Sequence, residues 1–156
     1  MSTLAPNDVK YGSSWYDEKM DVVLAPDIFV NASVAVDTPP EQAVRRVFSG
    51  LTKPKTSTWV LERVESMLHA LPQFKDDAVA QQMSTIRRLV DVVEEGEHFI
   101  EDWQAALVAL ANAAGVARVL TDHPDLLAEP SPDGTEFVPS DAWLFEQSTP
   151  PPPPVV

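Results

Sequence analysis

Residues 103–121 read Trp103-Gln104-Ala105-Ala106-Leu107-Val108-Ala109-Leu110-Ala111-Asn112-Ala113-Ala114-Gly115-Val116-Ala117-Arg118-Val119-Leu120-Thr121. The first two thirds are rich in alanine and leucine, strong helix formers, and Trp103, Leu107, Leu110 and Ala114 recur along one face. Extended back through Phe99 to His98, this is the strongest helical pattern in the chain. Gly115 is the residue that ends such a helix with least strain. Val116 to Thr121 is then short, apolar and β-branched, the pattern of a strand covered on both faces. A helix that hands over directly to a buried strand is half of a βαβ unit, and it predicts a parallel sheet.

Outward from this unit the same alternation continues. Met20-Asp21-Val22-Val23-Leu24-Ala25 predicts a buried strand, and Pro26, a favoured first-turn residue, opens a helix through Ile28, Phe29, Val30 and Ala32. Thr38-Pro39-Pro40-Glu41 starts a second helix with Ala43, Val44, Val47 and Phe48 as its stripe and Gly50 as its stop. A third runs from Thr58 to Leu71, with Val60, Val64, Met67, Leu68 and Leu71 inward and Pro72 after it. Lys75 to Val90 is a fourth, with Val79, Met83, Ile86, Leu89 and Val90 inward, followed by a short strand at Asp91-Val92-Val93. After the Pro132-Asp133-Gly134 turn, Thr135-Glu136-Phe137-Val138 is the last strand. Right-handed crossovers then give a single three-layer α/β domain over residues 20–146, a central mostly parallel sheet flanked by helices. An N-terminal arm, 1–19, precedes it and is expected to lay Trp15 and Tyr16 on its own domain. A proline-rich tail, 147–156, follows. Its run Pro150 to Pro154 favours extended, solvated polyproline II, a form that aromatic-lined grooves also recognise.

Composition narrows the function. The chain has 156 residues, close to the roughly 150 of one domain, and its 44% hydrophobic content is enough for a core. Acids outnumber bases by 24 to 11, a formal charge of −13, which works against gripping DNA or RNA through a broad basic face. Cysteine is absent, which excludes disulfides, thiolate-bound metals and a thiol nucleophile. No apolar run approaches the roughly 20 residues of a membrane helix, and Met1 to Met20 lacks a signal-peptide core. The expectation is a cytoplasmic protein that engages neither membrane nor DNA.

In a parallel sheet, function concentrates where strand ends meet helix starts. Two junctions qualify, Leu24-Ala25-Pro26-Asp27 and Leu120-Thr121-Asp122-His123-Pro124-Asp125-Leu126-Leu127. With Val22 to Ala32, the middle helix Val60 to Leu68, and Trp103 to Leu127, they make the chain resemble the PIN-domain family over residues 20–146. That resemblance implies a magnesium- or manganese-dependent ribonuclease fold, common among toxins of toxin–antitoxin modules. It also implies three or four carboxylates converging on a hard divalent cation, which generates and orients the attacking hydroxide.

Carried over residue by residue, the family's acids fall on other side chains. The acid ending the first strand falls on Ala25, the middle-helix glutamate on Arg63, and the fifth-helix acid on Gln104, eleven residues before Gly115. The usual ligand position in the last loop falls on His123, and only the following acid, Asp125, survives. At about 100° per residue, Arg63 and Gln104 flank their apolar faces, whereas Glu62 and Glu101 point to solvent and Asp102 projects on the other side. Displaced acids remain: Asp27, Asp122 and Asp125 could still form a cluster. A guanidinium beside them would compete permanently with the cation.

The remaining polar and aromatic residues have plain readings. His69 near a helix C-terminus is a dipole partner, and His98 a solvated helix-start residue. His123 divides between structural hydrogen bonding and a site role. Trp59, Trp103 and Trp143 are core or interface fillers rather than base-stacking platforms. The acids Glu94, Glu95, Glu97, Glu101 and Asp102 form a solvated face, and the basic pairs Arg45-Arg46 and Arg87-Arg88 are too few to overcome the net charge. No nucleophile elbow is present.

The expectation is therefore a PIN-like domain that keeps the architecture and has lost the metal centre, with no cofactor. It would act as a regulatory or protein-binding module, engaging a protein partner or a second copy of itself. The alternative is an active Mg- or Mn-dependent endoribonuclease acting on RNA through Asp27, Asp122 and Asp125. A third reading, an antitoxin-like partner that dimerises with PIN relatives, follows from fold analogy alone.

Overall fold

The computed structural model describes residues 21–50, 52–93, 102–128 and 134–148. Val22 to Ala25 are all buried, and this apolar run supplies strand β1 (Val23–Leu24). It pairs parallel with β4 (Arg118–Leu120), which pairs parallel with β5 (Glu136–Val138). A second parallel pair joins β2 (Lys55–Thr56) to β3 (Asp91–Val92). β2 also contacts β1, which brings the two sheets together. The α/β class with a parallel sheet is as the sequence predicts.

Helices cover this frame. α5 (Trp103–Ala114) packs on β1, β2 and β4 together, through Ala106, Leu107, Leu110 and Ala111. α1 (Pro26–Val34) packs against α2 (Pro39–Phe48) and α3 (Thr58–His69), and α3 against α4 (Asp76–Leu89). The short α6 (Pro124–Ala128) lies on β5, and α7 (Ser140–Ser148) on α2.

Several sequence expectations are revised. β2 was not predicted: a two-residue strand in Lys53-Pro54-Lys55-Thr56 carries no apolar pattern and is held by backbone bonds from Asp91 N–H to Pro54 O (3.0 Å) and Val93 N–H to Thr56 O (2.9 Å). α6 and α7 lie where only loop and chain end were expected. α7 has little amphipathic signal, with Phe145 largely exposed, yet it plants Trp143 fully in the core. It runs to Ser148. α3 stops at His69, not Leu71. Leu89 is partly exposed, because α4 ends there and the extended Val90 turns inward instead.

α5 begins at Trp103 rather than His98. Asp102 caps it, accepting hydrogen bonds from Gln104 N–H (3.0 Å) and Ala105 N–H (3.4 Å), so Asp102 is a cap and not part of a helical face. Gly115 closes the helix at φ 74°, as expected. Phe99, His98 and the acids Glu94 to Glu101 lie outside the described residues, as do Trp15, Tyr16 and the proline run.

Trp143 tests whether α7 belongs to the folding unit. Trp143→Ala is expected to lower unfolding stability by about 3–5 kcal/mol, the range for emptying a large buried aromatic site. Urea denaturation followed by circular dichroism measures it, and a loss below roughly 1 kcal/mol would mean α7 is peripheral.

The candidate functional site at the carboxyl edge of the sheet

β1 delivers the chain to α1 with no spare residue. Ala25 is buried, its N–H donates to Leu120 O (3.0 Å) and its carbonyl accepts from Ile28 N–H (3.1 Å). A methyl group therefore stands where the strand ends. Pro26 takes the first helical position, where the missing N–H has no cost. This places Asp27 in the first turn, aimed at the end of β4.

The Asp27 carboxylate is buried there. Oδ1 accepts the Thr121 hydroxyl at 2.8 Å and Oδ2 accepts the Asp122 N–H at 2.8 Å. Thr121 is itself fixed by its N–H to Val138 O (3.1 Å), and its hydroxyl oxygen accepts the His123 N–H (3.1 Å). One residue on, Asp122 turns its carboxylate to α7: Oδ1 accepts the Ser140 N–H (2.8 Å) and Oδ2 the Ser140 hydroxyl (2.6 Å). Two acids thus tie α1 to β4 and β4 to the start of α7, where the helix dipole favours a negative charge. Burial pushes the Asp27 carboxyl above the usual range. Its hydrogen bonds to the Asp122 N–H and the Thr121 hydroxyl oppose that shift, and the nearby Asp122 charge adds to it.

A row of stacked groups lies along the same edge. The Arg63 guanidinium sits 5.4 Å from the Trp59 ring centroid, in cation–π range. Trp59 meets Trp103 edge to face at 5.8 Å and 88°, and Trp103 meets the His123 ring at 5.6 Å and 54°. Trp59 and Trp103 both stand in first helical turns, so α3 and α5 touch through their indoles at this edge. His123 Nδ1 accepts the Asp125 N–H (3.2 Å), which leaves Nε2 to carry the proton of a neutral ring. Its backbone N–H and its Nδ1 both take part in hydrogen bonds within the loop.

The structure brings together Asp27 and Asp122. Asp125 is exposed on α6 and tied to His123 only through its backbone. Gln104 is half-buried one residue inside α5. Among the described residues no three His, Asp or Glu side chains gather as metal ligands. Thr121 and Ser140, which the sequence reading passed over, are the donors that occupy the acids. Their signal was faint: a hydroxyl just after each buried strand or turn, beside an acid.

Away from this edge, α1, α2 and α4 enclose an apolar groove of about 400 Å³ lined by Phe29, Val44, Phe48, Ile86 and Leu89. Phe29 and Phe48 meet at 6.3 Å, and the Gln82 amide donates to the Ser33 hydroxyl (2.9 Å) within it. Its rim is charged: Arg45 pairs with Glu41, holding that carboxyl below its usual range, and with Asp37 at 3.4 Å. Among the described residues no helix is long and apolar enough to cross a membrane.

Comparison with known proteins finds no matching family model, no matching curated protein and no matching solved structure.

Two measurements probe the network. Thr121→Val keeps the shape but leaves the buried Asp27 oxygen without its donor, so stability is expected to fall by about 1–3 kcal/mol. A urea midpoint equal to wild type would show that the bond contributes nothing. The raised Asp27 carboxyl also sets a sign with pH. Just above the ordinary aspartate value of 3.8 the native chain holds a proton that the unfolded chain has released. This group's contribution is therefore full below 3.8 and is lost as pH rises through its folded value. Relative to Asp27→Asn, the wild type is expected to lose stability as pH rises above the ordinary aspartate value of 3.8, and a pH-independent difference would contradict the assignment.

Proposed function

We propose that this chain is a PIN-like domain whose metal-dependent nuclease centre has degenerated and that serves as a regulatory or protein-binding module in the cytoplasm. The observation that carries the reading is the use made of its acids. Asp27 and Asp122 each spend both carboxylate oxygens on hydrogen bonds that hold α1, β4 and α7 together. A magnesium or manganese ion needs such oxygens turned toward itself and toward substrate. Recruiting them here would strip Thr121, Ser140 and the Asp122 N–H of their partners, a cost on the order of 1–3 kcal/mol for each buried group.

Other features support the same reading. Ala25 offers no ligand at the end of β1, and Arg63 places a permanent positive charge on the aromatic row. A formal charge of −13 opposes RNA binding. The groove between α1, α2 and α4 has the apolar floor and charged rim of a protein-docking face. A protein partner, or a second copy of the chain, is the occupant this reading expects, with no cofactor required.

The purified chain, incubated with magnesium or manganese and structured or unstructured RNA, is expected to leave the RNA intact. Isothermal titration with millimolar manganese is expected to show no binding heat. Metal-dependent cleavage abolished by Asp27→Asn or Asp125→Asn would overturn this reading in favour of a metal-dependent endoribonuclease that uses displaced acids.

A further inference from the structure

The edge of the sheet opposite the carboxylates holds a concavity of about 550 Å³. Asp21 and Val22 before β1, Lys55 at the start of β2 and Val116 before β4 line it, together with the C-terminal turns of α2 and α5 at Val47 and Gly115. We propose that the N-terminal arm of the same chain occupies this cavity, seating Trp15 and Tyr16 between the ends of α2 and α5.

The connection is short. Asp21 lines the cavity and Trp15 lies six residues before it, a reach of up to roughly 20 Å when extended. So short a tether holds the aromatics at an effective concentration on the order of millimolar, whatever the protein concentration. The lining also suits them. Val22, Val47 and Val116 provide apolar contact, and helix C-terminal turns present carbonyl acceptors for an indole N–H and a phenol O–H. The volume lies within the roughly 300–1,000 Å³ of sites that enclose aromatic ligands.

Charge points the same way. Asp17, Glu18 and Lys19 stand between the aromatics and Asp21, a net charge of −1. Lys53 and Lys55 on the cavity wall are exposed and form no ion pair with a described residue. An arm that lays its rings inward brings its two acids over these lysines.

The absence of cysteine makes the test direct. In the full chain, Ser14→Cys carries a nitroxide, and paramagnetic broadening of amide signals reports where the arm rests. The Val47, Lys55 and Val116 amides, distant in sequence from the label, are expected to broaden several-fold. The effect is expected to disappear with Trp15→Ala/Tyr16→Ala and to weaken with Lys53→Glu/Lys55→Glu. Three results would overturn the proposal. One is no broadening at this edge, or broadening at the Phe29/Leu89 groove instead. Another is broadening that persists in the Trp15→Ala/Tyr16→Ala chain, which is tethering alone. The third is broadening seen only when nitroxide-bearing chains are mixed with isotopically labelled chains lacking the nitroxide, which assigns the contact to another copy.

Discussion

The buried Asp27 carboxylate is the constraint around which the carboxyl edge is organised. An anion in an apolar interior is tolerated only when donors meet it. Here the donors are the Thr121 hydroxyl and the Asp122 N–H, both on the residues that end β4. The first turn of α1 and the end of β4 therefore cannot separate without exposing an unpaired acid. Asp122 repeats the device one residue later and binds the start of α7. These four contacts join segments more than ninety residues apart at one end and eighteen at the other.

This arrangement separates architecture from chemistry. A parallel sheet brings strand ends and helix starts to one edge, where enzymes of many kinds place their reacting groups. In this chain the same geometry is occupied by internal satisfaction: acids bonded to hydroxyls and amides, a guanidinium over an indole, and an imidazole packed on a second indole. Among the described residues, two concavities lie away from this edge, in the groove of α1, α2 and α4 and at the amino edge of the sheet.

Legibility followed the strength of local signals. The helix of residues 103–114, Gly115 and the buried run after it were readable because propensity, a φ of 74° and burial on both faces all demand the residues found there. Lys55–Thr56 was not readable, because a two-residue polar strand is defined by its neighbour's hydrogen bonds and not by its own side chains. Ser140–Ser148 was missed because a single Trp143 carries most of its burial. The start of α5 was misplaced because Asp102 reads equally well as a helical residue or as a cap, and only the backbone turn decides.

By itself, the sequence determined the α/β class, the parallel sheet, the two loaded junctions and the absence of acids at Ala25, Arg63 and Gln104. Residue type and periodicity carry that information, since burial selects apolar groups at fixed spacing. What the tertiary structure alone decided is the fate of the acids that are present. Whether Asp27 and Asp122 face a cation or a hydroxyl depends on Thr121 and Ser140 arriving from other elements at 2.6–2.8 Å. Hydrogen bonding acts only at contact distance and in specific directions, so no spacing along the chain encodes it.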